Sequence, residues 1–134
     1  MAGRGLSRLK VLQWGTAFGV AGFGLLAFAP AAWKFPALLA YTFGAVAPML
    51  AYAILSRHFP VSMSGRLNTA LNVATFAYAF AAQVGTGMLL RVFPAESGRY
   101  PPDSYALAFG VLLAVQFAGW ALAASVRREP GQWV

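Results

Sequence analysis

A chain of 134 residues with 60% hydrophobic and only 10% charged side chains cannot build the polar shell of a soluble helical bundle. Its formal net charge of +7 raises nucleic acid as a partner, but the basic residues flank apolar runs and do not line one face, so no nucleic acid is expected. With no cysteine and one histidine, His58, there is no thiolate or histidine metal constellation, and neither a metal ligand nor a cofactor is expected.

Four runs carry no charge: residues 11–33, 35–56, 67–90 and 104–126. Each exceeds the roughly eighteen residues at which a spanning helix becomes the default reading. The pattern predicts an all-α membrane protein, with four transmembrane helices in two antiparallel hairpins and the lipid bilayer as first partner. Residues 1–10 read as a basic leader and 11–128 as the transmembrane domain, with spans at about 11–30, 35–57, 66–91 and 104–127. Residues 129–134 form a tail too short to fold by itself.

The leader, with Arg4, Arg8 and Lys10, precedes an apolar run ending Ala27-Phe28-Ala29-Pro30, which imitates a secretory signal. That run is long for a signal core, Pro30 is badly placed for cleavage, and three further spans follow. A retained first helix is therefore preferred. Gly15, Gly19 and Gly22 fall on one face of it, where small residues let a neighbouring helix come close. Pro30, Lys34 and Pro36 mark a tight connection into the second helix. That helix carries Tyr41, Thr42 and Tyr52, and Pro48 frees the carbonyl of Gly44 and predicts a kink. Prolines are tolerated in spanning helices, and tolerance is preferred over a gating role.

A basic hinge follows. Pro60 biases Phe59 away from the helical region, so the second helix is expected to end near His58. Gly65 permits a turn, and Arg57 and Arg66 bracket the hinge with positive charge. In the third helix Asn68, Asn72, Thr75, Ala79, Gln83 and Thr86 share a wedge of about 80° over about 27 Å. This polar stripe either hydrogen-bonds to other helices or lines a solute pathway; packing is the preferred of the two. The loop at 92–103 holds Pro94, Gly98, Pro101 and Pro102 with two of the three acids, Glu96 and Asp103. Ser104 is the predicted N-cap of the fourth helix, which contains Gln116, Gly110 and Gly119 and ends at Arg127-Arg128.

Orientation follows from the cations. Arg4, Arg8, Lys10, Arg57, Arg66, Arg127 and Arg128 share one side, against Lys34, Arg91 and Arg99 on the other. That asymmetry puts both termini and the hinge in the cytoplasm. No acid lies inside a span, no serine has a histidine and an acid beside it, and no glycine-rich stretch carries the Lys-Ser/Thr of a phosphate loop. No catalytic residue is predicted, and the chain does not read as an enzyme.

Arg57-His58-Phe59-Pro60, then Gly65-Arg66 and Asn68-Thr69-Ala70-Leu71-Asn72, resembles the loop between the tenth and eleventh helices in one bacterial branch of the major facilitator superfamily. Gln83-Val84-Gly85-Thr86-Gly87, Tyr100-Pro101-Pro102, Tyr105 and Ala108-Phe109-Gly110 match that branch in order and spacing, so the resemblance covers roughly Leu12 to Ala124. It carries almost nothing about substrate. The resemblance implies the last four of about twelve helices, a fragment or truncated member active in solute transport only with the missing helices. It also implies a bacterial inner membrane and the same orientation. By the same resemblance the second helix lines a cavity, which makes Tyr41, Thr42 and Tyr52 the candidate contacts for an unknown small-molecule solute. The alternative is a small four-helix membrane assembly protein without transport of its own. A self-associated copy would then meet the glycine seam and the polar stripe.

Overall fold

The computed structural model describes residues 8–55, 59–95 and 98–126. These form α1 (Arg8–Phe28), α2 (Lys34–Ala45), α3 (Leu50–Leu55), α4 (Ser64–Leu90) and α5 (Pro102–Ser125), with single 3-10 turns at Ala31–Trp33, Ala47–Met49 and Val61–Met63. Joined through those turns they make four helices long and apolar enough to cross a membrane: Arg8–Phe28, Ala31–Leu55, Val61–Leu90 and Pro102–Ser125. We call them the first to fourth spans. The leader cation Arg4, the hinge residues Ser56, Arg57 and His58, the loop acid Glu96 and the terminal Arg127-Arg128 lie outside the described residues, as does the expected helix end at His58.

Proline sets the entry of three spans. Pro30, Pro60 and Pro101 have φ of −56°, −56° and −63° with ψ of 158°, 148° and 156°, an extended step that the fixed ring favours. Pro30 and Pro60 each then accept a bond from the amide three residues on, Trp33 at 2.9 Å and Met63 at 2.8 Å. At the fourth span this geometry corrects the N-cap expectation. Pro101 holds the cap position, Pro102 opens the helix where an amide would go unpaired anyway, and no side chain caps it. Ser104 therefore sits one turn inside. It is fully buried and its Oγ has no partner among the described residues.

The second span is broken where Pro48 predicts. α2 stops at Ala45, a 3-10 turn covers Ala47–Met49, and α3 starts at Leu50. The Pro48 ring has no amide to give Gly44 and collides with that carbonyl in a regular helix, so the local hydrogen bonding tightens to the Met49-to-Val46 bond of 3.1 Å.

Packing is organised by small residues, not by a core of large ones. Gly19, Gly22, Gly44, Ala37, Ala47, Ala108 and Ser104 are the buried positions among those described. The glycine seam of α1 closes on the second span: Gly15 faces Ala47, Gly19 faces Gly44, and Gly22 faces the backbone of Ala40 and Tyr41. A methyl added at Gly22 would lie 2.5 Å from the Tyr41 amide nitrogen, so the two backbones touch with no room for a side chain. Such contact replaces the hydrophobic drive that helices lose in lipid with close van der Waals packing. The seam is thus filled within the chain and needs no outside partner, which removes half the motive for the assembly alternative.

α1 also packs on α5, and α5 on α4. Three polar contacts tie α1 to the end of α5, one of them from Gln13 Nε2 to the carbonyl of Val126 at 3.3 Å. Gln13 Nε2 donates to the carbonyl of Ala123 at 2.9 Å, and Trp120 Nε1 donates back to the carbonyl of Gln13 at 3.1 Å. At the other end of α1, Lys34 Nζ donates to the carbonyls of Leu26 and Ala27 at 2.5 and 3.2 Å. A cation there satisfies orphan carbonyls and complements the negative end of the helix. Large apolar side chains point outward instead: Trp14, Phe43, Phe76 and Leu122 are each more than 70% exposed. A surface of this kind is wrong for water and right for hydrocarbon.

A candidate solute cleft and an exposed amide stripe

A partly open cleft of about 310 Å³ lies where all four spans converge. α1 contributes Thr16, Gly19 and Val20; the second span contributes Tyr41, Gly44, Ala45 and Pro48; α4 contributes Tyr78; and α5 contributes Gln116, Gly119 and Trp120. The close approach of α1 to the second span at Gly19 and Gly44 forms its floor. Tyr41 is held against Phe23 with ring centroids 5.5 Å apart, and Phe23 in turn meets Phe109 edge-on at 6.2 Å. Aromatic packing of this sort fixes the ring while leaving the phenol hydroxyl free to bond.

The polar inventory of the cleft is uncharged. The Thr16 hydroxyl donates to the Leu12 carbonyl at 2.7 Å and the Trp120 indole is bound to Gln13, so neither donor is available. Tyr41, Tyr78 and the amide of Gln116 remain. Such a site can hold a small neutral molecule by apolar contact with one or two orienting hydrogen bonds. A larger groove of about 570 Å³ between α1 and α5 is lined by Ala17, Val20, Gly24, Leu113 and Phe117 among others, and offers nothing to orient a polar solute.

The three candidate solute residues do not share one site. Tyr41 lines the cleft. Tyr52 donates its hydroxyl to Asn72 Oδ1 at 3.0 Å, joining the second span to α4. Thr42 is exposed and bonded to the Leu38 carbonyl at 2.8 Å, so its polarity is absorbed by its own helix. Sequence reasoning passed over Thr16, Tyr78 and Trp120, which fall on no polar face. Gln116, the lone amide of an apolar span, was the available signal.

The polar stripe is where expectation and structure part. Asn68, Asn72, Thr75, Ala79 and Gln83 are exposed, and Thr86 is half-buried. The hydroxyls of Thr69, Thr75 and Thr86 each donate to a carbonyl four residues back, at 3.0, 2.8 and 2.7 Å. Hydroxyl back-bonding of this kind costs a helix little and makes the residue nearly apolar. That leaves the amides. Asn72 reaches Tyr52, and Gln83 and Asn68 have no partner among the described residues. Hydrogen bonding to other spans, the preferred reading, is realised among the described residues only at Asn72, while Thr86 packs beside α5 with its hydroxyl bonded inward. The reason is that α4 turns Tyr78, Gly85 and Leu89 toward α5, and of the stripe only Thr86.

Of the hinge residues, Phe59, Gly65 and Arg66 are exposed, and Gly65 has nothing within 4 Å of where a side chain would begin. Among the described residues no three His, Cys, Asp or Glu side chains come together. Comparison with protein-family models, curated proteins and solved structures returns no match to this chain.

Proposed function

We propose that the four spans are the closing part of a major-facilitator-type transporter and form one wall of a pathway for a small uncharged solute. The observation that carries this reading is the cleft, where Tyr41 of the second span meets Gln116 of α5 and Tyr78 of α4. It agrees with the resemblance in putting the second span beside a cavity. A volume of about 310 Å³ is at the small end of ligand sites, consistent with a site that a second wall completes.

In this reading the remaining wall comes from helices beyond these four, since alternating access needs two bundles that move about a shared site. The break at Pro48 lets α3 tilt on α2, and the Tyr52–Asn72 bond ties that movement to α4. Residues 67–90 and 104–126 hold no acid, so coupling to an ion or proton resides in the other wall. The protein lies in a bacterial inner membrane, as the resemblance implies, with both termini cytoplasmic, as the seven-to-three cation count favours.

The test is reconstitution. Liposomes holding this chain alone, under a proton or sodium gradient, accumulate no solute. Liposomes holding it with co-produced helices from an adjoining reading frame accumulate solute, and Tyr41→Phe or Gln116→Leu lowers that uptake several-fold. Gradient-driven uptake by the chain alone, or uptake indifferent to both substitutions, refutes the reading.

A further inference from the structure

We propose that the exposed amide stripe of α4 is a docking surface for a second copy of this chain, with Gln83 and Asn72 pairing across a twofold axis along the membrane normal. This goes beyond the transport reading and does not rest on it: the exposed part of the stripe, from Asn68 to Gln83, lies to one side of the face that meets α5 and is not part of the cleft wall.

The argument begins with what is unpaired. Asn72 and Gln83 are separated by about 16 Å along the helix, so both lie within a hydrocarbon layer about 30 Å thick. Asn72 uses its Oδ1 to accept from Tyr52 and keeps both amide hydrogens; Gln83 keeps its whole amide. A polar group exposed at that depth has no water to bond, and the favoured remedy is a bond to another helix. Within the chain that remedy reaches only Asn72 Oδ1, through Tyr52 of the second span; the face toward α5, marked by Tyr78, Gly85 and Leu89, is about 100° round the helix from the middle of the stripe, and only Thr86 of the stripe borders it.

Which helix docks there follows from chemistry and symmetry. Two copies in one membrane share one orientation, so a symmetric pair is parallel and each residue meets its own counterpart near the axis. An amide is both donor and acceptor, so Gln83 complements Gln83, which a stripe of cations or acids could not do. No charged residue lies from 67 to 90, so nothing repels across the axis. Between the amides, Thr75 and Ala79 are small and exposed, and Thr75 has already bonded its hydroxyl inward. That leaves a shallow strip against which a second helix can approach closely.

The chain has no cysteine, which makes the test direct. Full-length Ala79→Cys protein in liposomes, oxidised at low protein-to-lipid ratio, gives a covalent dimer. Leu122→Cys, 72% exposed on α5, does not. Adding Gln83→Leu to Ala79→Cys reduces dimerisation about tenfold, the expected loss for two symmetric amide bonds, while helicity is unchanged. Gln83→Asn retains most of the dimer. Equal crosslinking at both positions, or a dimer unaffected by Gln83→Leu, overturns the proposal. So does a monomer in liposomes whose Ala79→Cys crosslinks in native membranes only to a protein of different sequence. Solute uptake is a separate readout: a dimer that transports nothing leaves this proposal standing and bears only on the transport reading.

Discussion

Replacing Gly22 with alanine tests whether the seam between α1 and the second span holds the fold together. The added methyl would lie 2.5 Å from the Tyr41 nitrogen and 2.9 Å from both the Ala40 carbonyl carbon and the Tyr41 Cα. Ordinary contact begins near 3.4 Å, so the nearest clash falls short by about 0.9 Å, and all three neighbours are backbone that cannot rotate away. Relief requires the two spans to separate over several residues, which loosens Gly19 against Gly44 as well. Overpacking of this kind costs about 1–3 kcal/mol. Gly87→Ala on α4 is the control, because nothing lies within 4 Å of its added methyl. Both changes gain the same helix propensity, so the difference between them isolates the clash. Unfolding in mixed micelles, followed by helical circular dichroism against added dodecyl sulfate, reads that difference. At 2 kcal/mol the folded-to-unfolded ratio falls roughly thirtyfold relative to Gly87→Ala. Equal midpoints within about 0.5 kcal/mol refute the reasoning, since ordinary surface changes stay inside that range.

Other outcomes follow from single contacts. Gln13→Leu removes the bonds to the Ala123 and Val126 carbonyls at 2.9 and 3.3 Å and lowers stability by about 0.6–1.2 kcal/mol, one to two typical interhelical bonds in a membrane; the same micelle titration measures it. Lys34→Met leaves the Leu26 and Ala27 carbonyls uncapped and costs about 1–2 kcal/mol, whereas Lys34→Arg retains most of the midpoint. Tyr52→Phe cuts the hydrogen bond from Tyr52 of the second span to Asn72 of α4, and a wider distance distribution between spin labels at Phe43 and Phe76 reports it. An unchanged distribution shows that the bond does not set the spacing. Cysteines at Ser62 and Ala95 label from opposite faces of the membrane, and labelling of Ser62 from outside intact cells contradicts a cytoplasmic hinge.

The span count needed no tertiary information. Four uncharged runs, each bounded by cations or prolines, leave no other way to satisfy the backbone in an apolar surrounding. The Pro48 break and the glycine seam were equally legible, because a missing amide and a missing side chain act locally wherever the helix lies. Tertiary structure decided what local rules cannot express. The seam met the second span of the same chain because Gly44 and Ala47 offered a matching small face on the adjacent helix. Ser104 lost the cap position to Pro101, whose ring geometry fixed the helix start before any side chain could compete. The candidate solute residues separated because Tyr41, Thr42 and Tyr52 project in different directions once a broken helix is packed on one side only. The cleft drew Thr16, Tyr78, Gln116 and Trp120 from three other helices, a grouping set by packing angles and invisible to spacing along any one of them. Periodicity showed that the stripe of α4 shares a face; only the packing of α4 on α5 through a neighbouring face left Asn68 and Gln83 without a partner among the described residues.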